Sequence, residues 1–329
     1  MRAPEFWSGN NLTARFAVAA LSPLGWAYGA SVRWKAMHAR PFRPNAKVIC
    51  VGNLTAGGTG KTPIAIAIAR MLIERGFRVM FLTRGFGGRV KGPAFVNLSR
   101  DRAADMGDEA LLLAAAAPVI VSRDREAGAK LADHEHADVI VMDDGHQNFS
   151  IAKDFSLVVV DAKAGFGNGR VLPAGPLRES VAQGLMRADA VALVGDGSVD
   201  LGGFSGPTLR AQLVPVDVHK LGGKAVVAFA GIGRPEKFFE TLRGLDARLA
   251  DARAFADHHV YTAAEIARLK RKAKAEGAIL LTTEKDYVRL TPAERDNISF
   301  LPVRAGFDDM AAVARLLDRI VPHKIGASA

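Results

Sequence analysis

Lys61 and Thr62 close the run Thr55-Ala56-Gly57-Gly58-Thr59-Gly60-Lys61-Thr62. An apolar segment, Val48 to Val51, precedes this run, and a helix-like segment, Pro63 to Glu74, follows it. Strand, glycine-rich loop and helix in that order is the setting of a phosphate-binding loop. Glycines let successive backbone N–H groups turn inward around phosphate oxygens. In that setting Lys61 reaches the terminal phosphates and the Thr62 hydroxyl ligates magnesium. The strict pattern begins with Gly where this chain has Thr55, but the Gly-Lys-Thr ending that does most of the binding is intact. The chain is therefore expected to bind a nucleoside triphosphate through Thr55, Ala56, Gly57, Gly58, Thr59, Gly60, Lys61 and Thr62.

Other residues could complete such a site. The apolar run Val139 to Met142 ends in Asp143-Asp144-Gly145-His146-Gln147. A strand-end Asp is what a phosphate-loop enzyme uses to hold magnesium, directly or through water; a turn-capping Asp is the alternative, and the sequence does not choose between Asp143 and Asp144. Asp108, in Gly107-Asp108-Glu109 before an alanine- and leucine-rich run, reads either as a helix N-cap or as a carboxylate that accepts a proton from an attacking hydroxyl. His258, in Asp257-His258-His259, could orient such a carboxylate or share its proton. Arginines recur in loops that follow apolar strands or are studded with glycine and proline: Arg84 and Arg89, Arg123 and Arg125, Arg170 and Arg178. Guanidinium groups in such loops suit a phosphorylated ligand, although any single one is more often a surface ion-pair partner.

Positioning these residues requires a sheet. Short apolar segments recur at Val48–Val51, Val79–Leu82, Val119–Val121, Val139–Met142, Leu157–Val160 and Ala190–Val194, with helical stretches between several of them. Such alternation predicts an α/β fold, a mostly parallel sheet with helices on both faces and ligands beyond the carboxyl ends of its strands. A glycine- and serine-rich break at Gly197–Gly206 and a crossing strand at Leu209–Val218 lead to a second, smaller α/β unit. Its markers are Lys224–Phe229, Gly231-Ile232-Gly233-Arg234-Pro235 and Thr283-Glu284-Lys285-Asp286. The expected divisions are an N-terminal segment over 1–46, a phosphate-loop core over 47–208 and the smaller unit over 209–329.

The chain has 329 residues, 49% of them hydrophobic and 24% charged, enough for one large core or two domains. A single cysteine, Cys50, excludes an intrachain disulfide and cysteine-built metal clusters, and its place in the first strand suits a small core residue. The net charge of +10 is uneven: residues 1–47 carry seven basic residues against one acid, Glu5. Phe16 to Val32 is free of charge but short and small-residue-rich for a membrane span. Ser22-Pro23 reads as the start of a second helix. Trp26, Tyr28 and Trp34 beside Arg33, Lys35 and Arg40 suit a helix lying on a membrane surface. A nucleic-acid binder is disfavoured because the basic segment lacks a recognition motif. A partitioning-type ATPase would place Lys where Ala56 stands, and a guanine-specific loop would separate the adjacent Lys285 and Asp286.

Assembled, these motifs closely resemble the tetraacyldisaccharide 4'-kinases of lipid A biosynthesis over nearly the whole chain. The resemblance rests on Val51-Gly52-Asn53-Leu54-Thr55 running into Gly57–Pro63, on Arg84–Gly88, Gly107–Glu109 and Asp143–Gln147. It rests most on Gly169-Arg170-Val171-Leu172-Pro173-Ala174-Gly175-Pro176-Leu177-Arg178-Glu179, and in the second unit on Gly231–Pro235, Phe255–His259 and Thr283–Asp286. It implies transfer of the γ-phosphate of ATP, with Mg²⁺, to the 4'-hydroxyl of a tetraacyl disaccharide 1-phosphate. It also implies a peripheral enzyme at the cytoplasmic face of the bacterial inner membrane, with no nucleic acid and no obligate protein partner. By resemblance Asp108 matches the catalytic base, His258 the histidine paired with it, and Thr55–Thr62 the ATP loop. The family often has Tyr at the place of Phe86 and a larger aromatic at the place of His146.

Overall fold

A computed structural model describes residues 4–7, 9, 11–216 and 221–322. Arg2, one of the seven basic residues near the N-terminus, and Val218, the end of the expected crossing strand, lie outside the described residues. The strands are β1 Lys47–Gly52, β2 Val79–Thr83, β3 Ala94–Phe95, β4 Val119–Val121, β5 Val139–Asp143, β6 Phe155–Asp161, β7 Ala190–Val194, β8 Thr208–Pro215, β9 Ala225–Ala230, β10 Arg248–Ala254, β11 Ile279–Thr283, β12 Ser299–Leu301 and β13 Val303–Phe307. The helices are α1 Leu12–His38, α2 Lys61–Glu74, α3 Ala103–Met106, α4 Asp108–Ala114, α5 Arg125–His134, α6 Val181–Leu185, α7 Pro235–Gly244, α8 Ala263–Ala275, α9 Glu284–Arg289, α10 Pro292–Arg295 and α11 Met310–Ile320.

Nine strands form one sheet in the order β13-β8-β7-β6-β1-β5-β2-β4-β3. The pairs are parallel except at the two edges, β13 with β8 and β3 with β4. Strands β1, β5, β6 and β7 are buried along nearly their whole length, as expected of a sheet covered on both faces. On one face Ile64, Ile68 and Leu72 of α2 pack against Ile49, Val51, Phe81 and Val141. On the other, Val48, Cys50, Leu82, Ile140 and Met142 meet Ala129 and Ala132 of α5. The register sets Val51 beside Asp143, so the loop after β1 and the carboxylate closing β5 emerge side by side.

The second sheet, β10-β9-β11-β12, is all parallel. It is narrower than the expected second unit. β8 and β13 lie on the large sheet, and Val313 and Leu317 of α11 bury in its core. The division at 208/209 is therefore corrected: the small sheet spans 225–301, and the chain returns to the large body. The physical reason is a pairing distant in sequence, in which β13 closes an otherwise open edge through partners from Val303↔Pro215 to Phe307↔Ala211. The two crossings between bodies touch, Val216 N–H donating to Pro302 C=O at 3.0 Å.

The N-terminal segment also differs from expectation. It forms one 27-residue helix, not two, with Pro23 inside it. Proline removes one backbone donor, and Ser22 Oγ donates to Val18 C=O at 2.7 Å at that level. Asn11 caps the helix through Ala14 N–H. Only Ala14, Gly25 and Val32 of α1 are buried. Gly25 is required where α1 meets the Gly169–Glu179 loop, since a Cβ there would lie 2.8 Å from Val171 O. Phe16, Trp26 and Trp34 stand 78%, 72% and 59% exposed. No helix among the described residues is long and apolar enough to cross a membrane.

Candidate active site

Two clusters of polar side chains form at the carboxyl ends of the large sheet's strands. The first surrounds the phosphate loop. Gly57 and Gly60 take φ of 124° and 87°, open to glycine and strained for other residues. Gly60 is the N-cap of α2 and offers no side chain there, so the first-turn N–H groups of that helix stay available to an anion. Thr55, the departure from the strict pattern, is 8% exposed and bridges to Leu177, while Ala56 N–H donates to Pro176 C=O at 2.7 Å. The loop's entry is thus zipped to the Gly169–Glu179 segment, and a side chain at position 55 has a structural anchor. Asn53 donates to Thr55 C=O at 2.7 Å and steadies the turn from within.

Asp143 and Asp144, alike in sequence, stand in different environments. Thr62 Oγ donates to Asp143 Oδ2 at 3.1 Å, while Asp143 Oδ1 is buried without a hydrogen-bond partner. Burial lifts the Asp143 carboxyl to about 6 against the pull of Lys61. Asp144 is gripped by both Arg178 nitrogens, at 2.7 and 3.0 Å, with Lys61 Nζ 3.7 Å away. Burial opposes its charge, but Lys61 and Arg178 outweigh that and hold it at about 2. Threonine hydroxyl and carboxylate oxygens are the hard donors a divalent cation takes, and the orphaned Oδ1 gives such an ion a reason to bind. The residues present fit magnesium.

The second cluster joins the two sheets. Asp108 opens α4 and is 4% exposed. Gly107, not Asp108, is the N-cap, so the capping alternative does not hold. His258 Nδ1 lies 3.1 Å from Asp108 Oδ2. His258 is held at a φ of 57° in the loop after β10, its N–H on Gly231 C=O at 3.1 Å and its ring edge-on to Phe86 at 5.6 Å. That ring contact needs no hydroxyl at position 86. Lys285 and Arg289, one turn apart on α9, face the same carboxylate: Lys285 Nζ lies 2.8 Å from Glu109 Oε1 and 3.8 Å from Asp108 Oδ2, and Arg289 Nε donates to Asp108 Oδ2 at 2.9 Å. Burial works against ionising Asp108, yet His258, Lys285 and Arg289 keep it well below the usual carboxylate range. Glu109 goes the other way, lifted by burial to about 7 despite Lys285. Asp108, Glu109 and His258 converge closely enough to suggest a cation site, but the Lys285 and Arg289 side chains already supply the positive charge there.

The loop arginines singled out in the sequence part company. Arg178 grips Asp144. Arg123 is exposed and donates to Gly88 C=O at 3.2 Å, whereas its neighbour Arg125, 4% exposed, lies within electrostatic reach of Asp143 and Asp144, with burial depressing it to about 10. Arg84 is exposed and lies near enough to oppose the charge of Arg125. Arg170 joins a groove of about 600 Å³ beside α1, lined also by Arg15, Phe16, Ala19 and Asn168. Sequence reasoning missed Lys285 and Arg289 as site residues. The i, i+4 spacing of Lys285 and Arg289 after a strand end was the available signal, but a short helix such as α9 gives little periodicity to read. His146, flagged as a departure, is a buried structural residue bonded to Ser156 Oγ and Gly184 C=O, both at 2.9 Å.

The sheet, the glycine-rich loop and the strand-end carboxylates define a phosphate-loop nucleotide-binding protein with an added α/β body. The chain belongs to the family described as tetraacyldisaccharide-1-P 4'-kinase (LpxK), whose model matches residues 17–321. It is 50% identical over 325 residues to the tetraacyldisaccharide 4'-kinase of Paramagnetospirillum magneticum, covering 97% of this chain and 99% of that protein. Identity to the enzyme of the same name from Rhodospirillum rubrum is 47%, covering 98% of each. Among solved structures, LpxK from Aquifex aeolicus in complex with ATP matches with a TM-score of 0.74 at 26% identity, over 92% of this chain and 99% of that one.

Proposed function

We infer that this chain is an ATP-dependent lipid kinase that transfers the γ-phosphate to the 4'-hydroxyl of a tetraacyl disaccharide 1-phosphate. The observation that carries this reading is the pairing of a phosphate loop on one body with an acceptor-side base cluster, Asp108 with His258, that only the two bodies together complete. ATP lies on Thr55–Thr62, with Lys61 on its β and γ phosphates. Thr62 and Asp143 hold Mg²⁺, which when bound neutralises charge on the transferring phosphoryl group. Asp144 serves from one layer further out, keeping Arg178 and Lys61 in place. Asp108 accepts the hydroxyl proton as the sugar oxygen attacks in line, and His258 orients its carboxylate. Phosphoryl transfer depends mainly on positioning and charge neutralisation, so the cations outrank the base in what their loss costs.

The membrane surface is the place for this reaction because the acceptor's acyl chains stay in the bilayer. Support comes from the exposed aromatics of α1 and from the apolar groove beside it with Arg15 and Arg170 at hand, chemistry suited to an acyl chain carrying an anionic headgroup. The protein is read as peripheral, on the cytoplasmic face where ATP is available, with Arg84 and Arg123 as further anion contacts. The deciding assay follows labelled γ-phosphate from ATP into a tetraacyl disaccharide 1-phosphate in detergent micelles, with Lys61→Ala as control. Labelled lipid that vanishes in the variant is expected; ATP hydrolysis without labelled lipid would replace the kinase with a membrane-surface ATPase switch.

A further inference from the structure

Arg289 is 7% exposed on its side chain and leaves α9 with every face engaged. Its Nη1 donates to Gly231 C=O and to Asp286 Oδ1, both at 2.7 Å. Asp286 is itself fully buried and accepts from the Tyr261 hydroxyl at 2.9 Å, the Thr283 hydroxyl at 2.6 Å and Gly231 N–H at 3.0 Å. A guanidinium pinned between a backbone carbonyl and a saturated carboxylate has little freedom to swing. Its remaining nitrogens, Nε and Nη2, both donate to Asp108 Oδ2, the oxygen that His258 Nδ1 also approaches at 3.1 Å. Asp108 Oδ1 instead accepts the Glu109 N–H at 3.0 Å. A carboxylate oxygen has about two acceptor positions, so Oδ2 is saturated and Oδ1 keeps capacity.

We propose that Arg289, braced by Asp286, is a positioning residue for the phosphoryl-transfer base: it occupies Oδ2 of Asp108 and leaves Oδ1 as the oxygen that takes the substrate's proton. The proposal rests on Asp108 being that base. In the step, the acceptor O–H bond breaks as its oxygen forms the new O–P bond. The proton passes to Oδ1, and the bond from the γ-phosphorus to the departing ADP oxygen breaks. An arginine on a base weakens it as a proton acceptor. That is tolerable here because a loose phosphoryl-transfer transition state demands little basicity and much alignment. The groups facing Asp108 are His258 and Asp257 from the loop after β10, Lys285, Asp286 and Arg289 from α9, and Glu109 from its own helix.

The test measures kinase activity of the full-length protein with ATP, Mg²⁺ and lipid acceptor in micelles, for Arg289→Ala, Arg289→Lys, Asp108→Ala and the double variant Asp108→Ala/Arg289→Ala. A misaligned base costs on the order of 100-fold in kcat, with KM for both substrates nearly unchanged. Arg289→Lys should recover part of the loss. The acid limb of the kcat profile should move to higher pH in Arg289→Ala, because removing the cation raises the pH at which Asp108 gives up its proton. Adding Arg289→Ala to Asp108→Ala should cost nothing further. Independent, multiplying losses, or a loss confined to KM, would overturn the positioning role. Asp108→Ala with near-normal turnover would sink the base assignment itself, a distinct result. If Arg289→Ala does not fold, judged by its melting curve, Arg289→Lys decides alone: unchanged kcat and an unmoved acid limb refute the proposal.

Discussion

At the scale of single residues, environment separates groups that the sequence presents as equals. Asp143 and Asp144 are adjacent and chemically identical, yet one is lifted to about 6 and the other held at about 2. The sign matters for pH. A carboxyl whose folded value lies above its unfolded one near 3.9 favours the folded state at low pH, and that advantage fades as pH rises from about 4 to 6. Metal-free protein should therefore lose up to roughly 3 kcal/mol of stability across that interval, and Asp143→Asn should remove the loss. Urea melts at pH 4 and 7 without divalent cations read this directly; identical pH dependence in both proteins would contradict it. Conversely, if Asp143 holds Mg²⁺ as proposed, the ion's affinity should fall as pH drops through about 6; titration calorimetry with Mg²⁺ and a non-hydrolysable ATP analogue would detect this. For the chemistry, Lys61→Ala should lower kcat more than Asp108→Ala, because neutralising the phosphates outweighs proton removal in a loose transition state. The reverse order in single-turnover assays would reject the ranking.

At the scale of elements, α1 is the unusual piece. A 27-residue helix extends about 40 Å, and it buries little more than Ala14, Gly25 and Val32. Among the described residues, Trp26 and Trp34 stand largely exposed, so replacing them together by Ser should leave the melting temperature nearly unchanged. The same change should weaken sedimentation with anionic lipid vesicles; equal sedimentation would detach this helix from any membrane role. Gly25→Leu is expected to act oppositely, costing about 1–3 kcal/mol by forcing α1 off the Val171 backbone, a loss visible by calorimetry. Pro23 shows why the two-helix expectation failed. The signal Ser-Pro is a good helix start in isolation, yet here α1 runs straight through it, at the loss of one backbone hydrogen bond.

At the scale of the molecule, the large and small sheets are joined by few chain crossings but by strong polar contacts. Arg234, ahead of α7, pairs with the buried Asp161 that ends β6, and α9 lays its cations on α4. These contacts make the active site a property of the assembly of bodies. Arg234→Ala should loosen the small body, seen as faster amide hydrogen exchange in α7 and α9 with little change inside β1 and β5. Uniform exchange across both bodies would show that the Asp161 pair does not couple them.

The residues themselves determined the phosphate loop and the parallel α/β core, because local spacing and period decide those. The long Gly169–Glu179 run is specific enough to name a family, and only that resemblance pointed to Asp108 and His258 together. The tertiary structure alone decided which of two adjacent aspartates stays protonation-prone, that Arg125 rather than Arg123 is buried near them, and that Lys285 and Arg289 reach across to Asp108. It also decided that β13 and α11 return to the large body, because an open sheet edge is closed by whichever strand can reach it. Burial and the approach of distant charges set these outcomes, and both depend on which parts of the chain are brought together, a quantity that no local stretch of sequence contains.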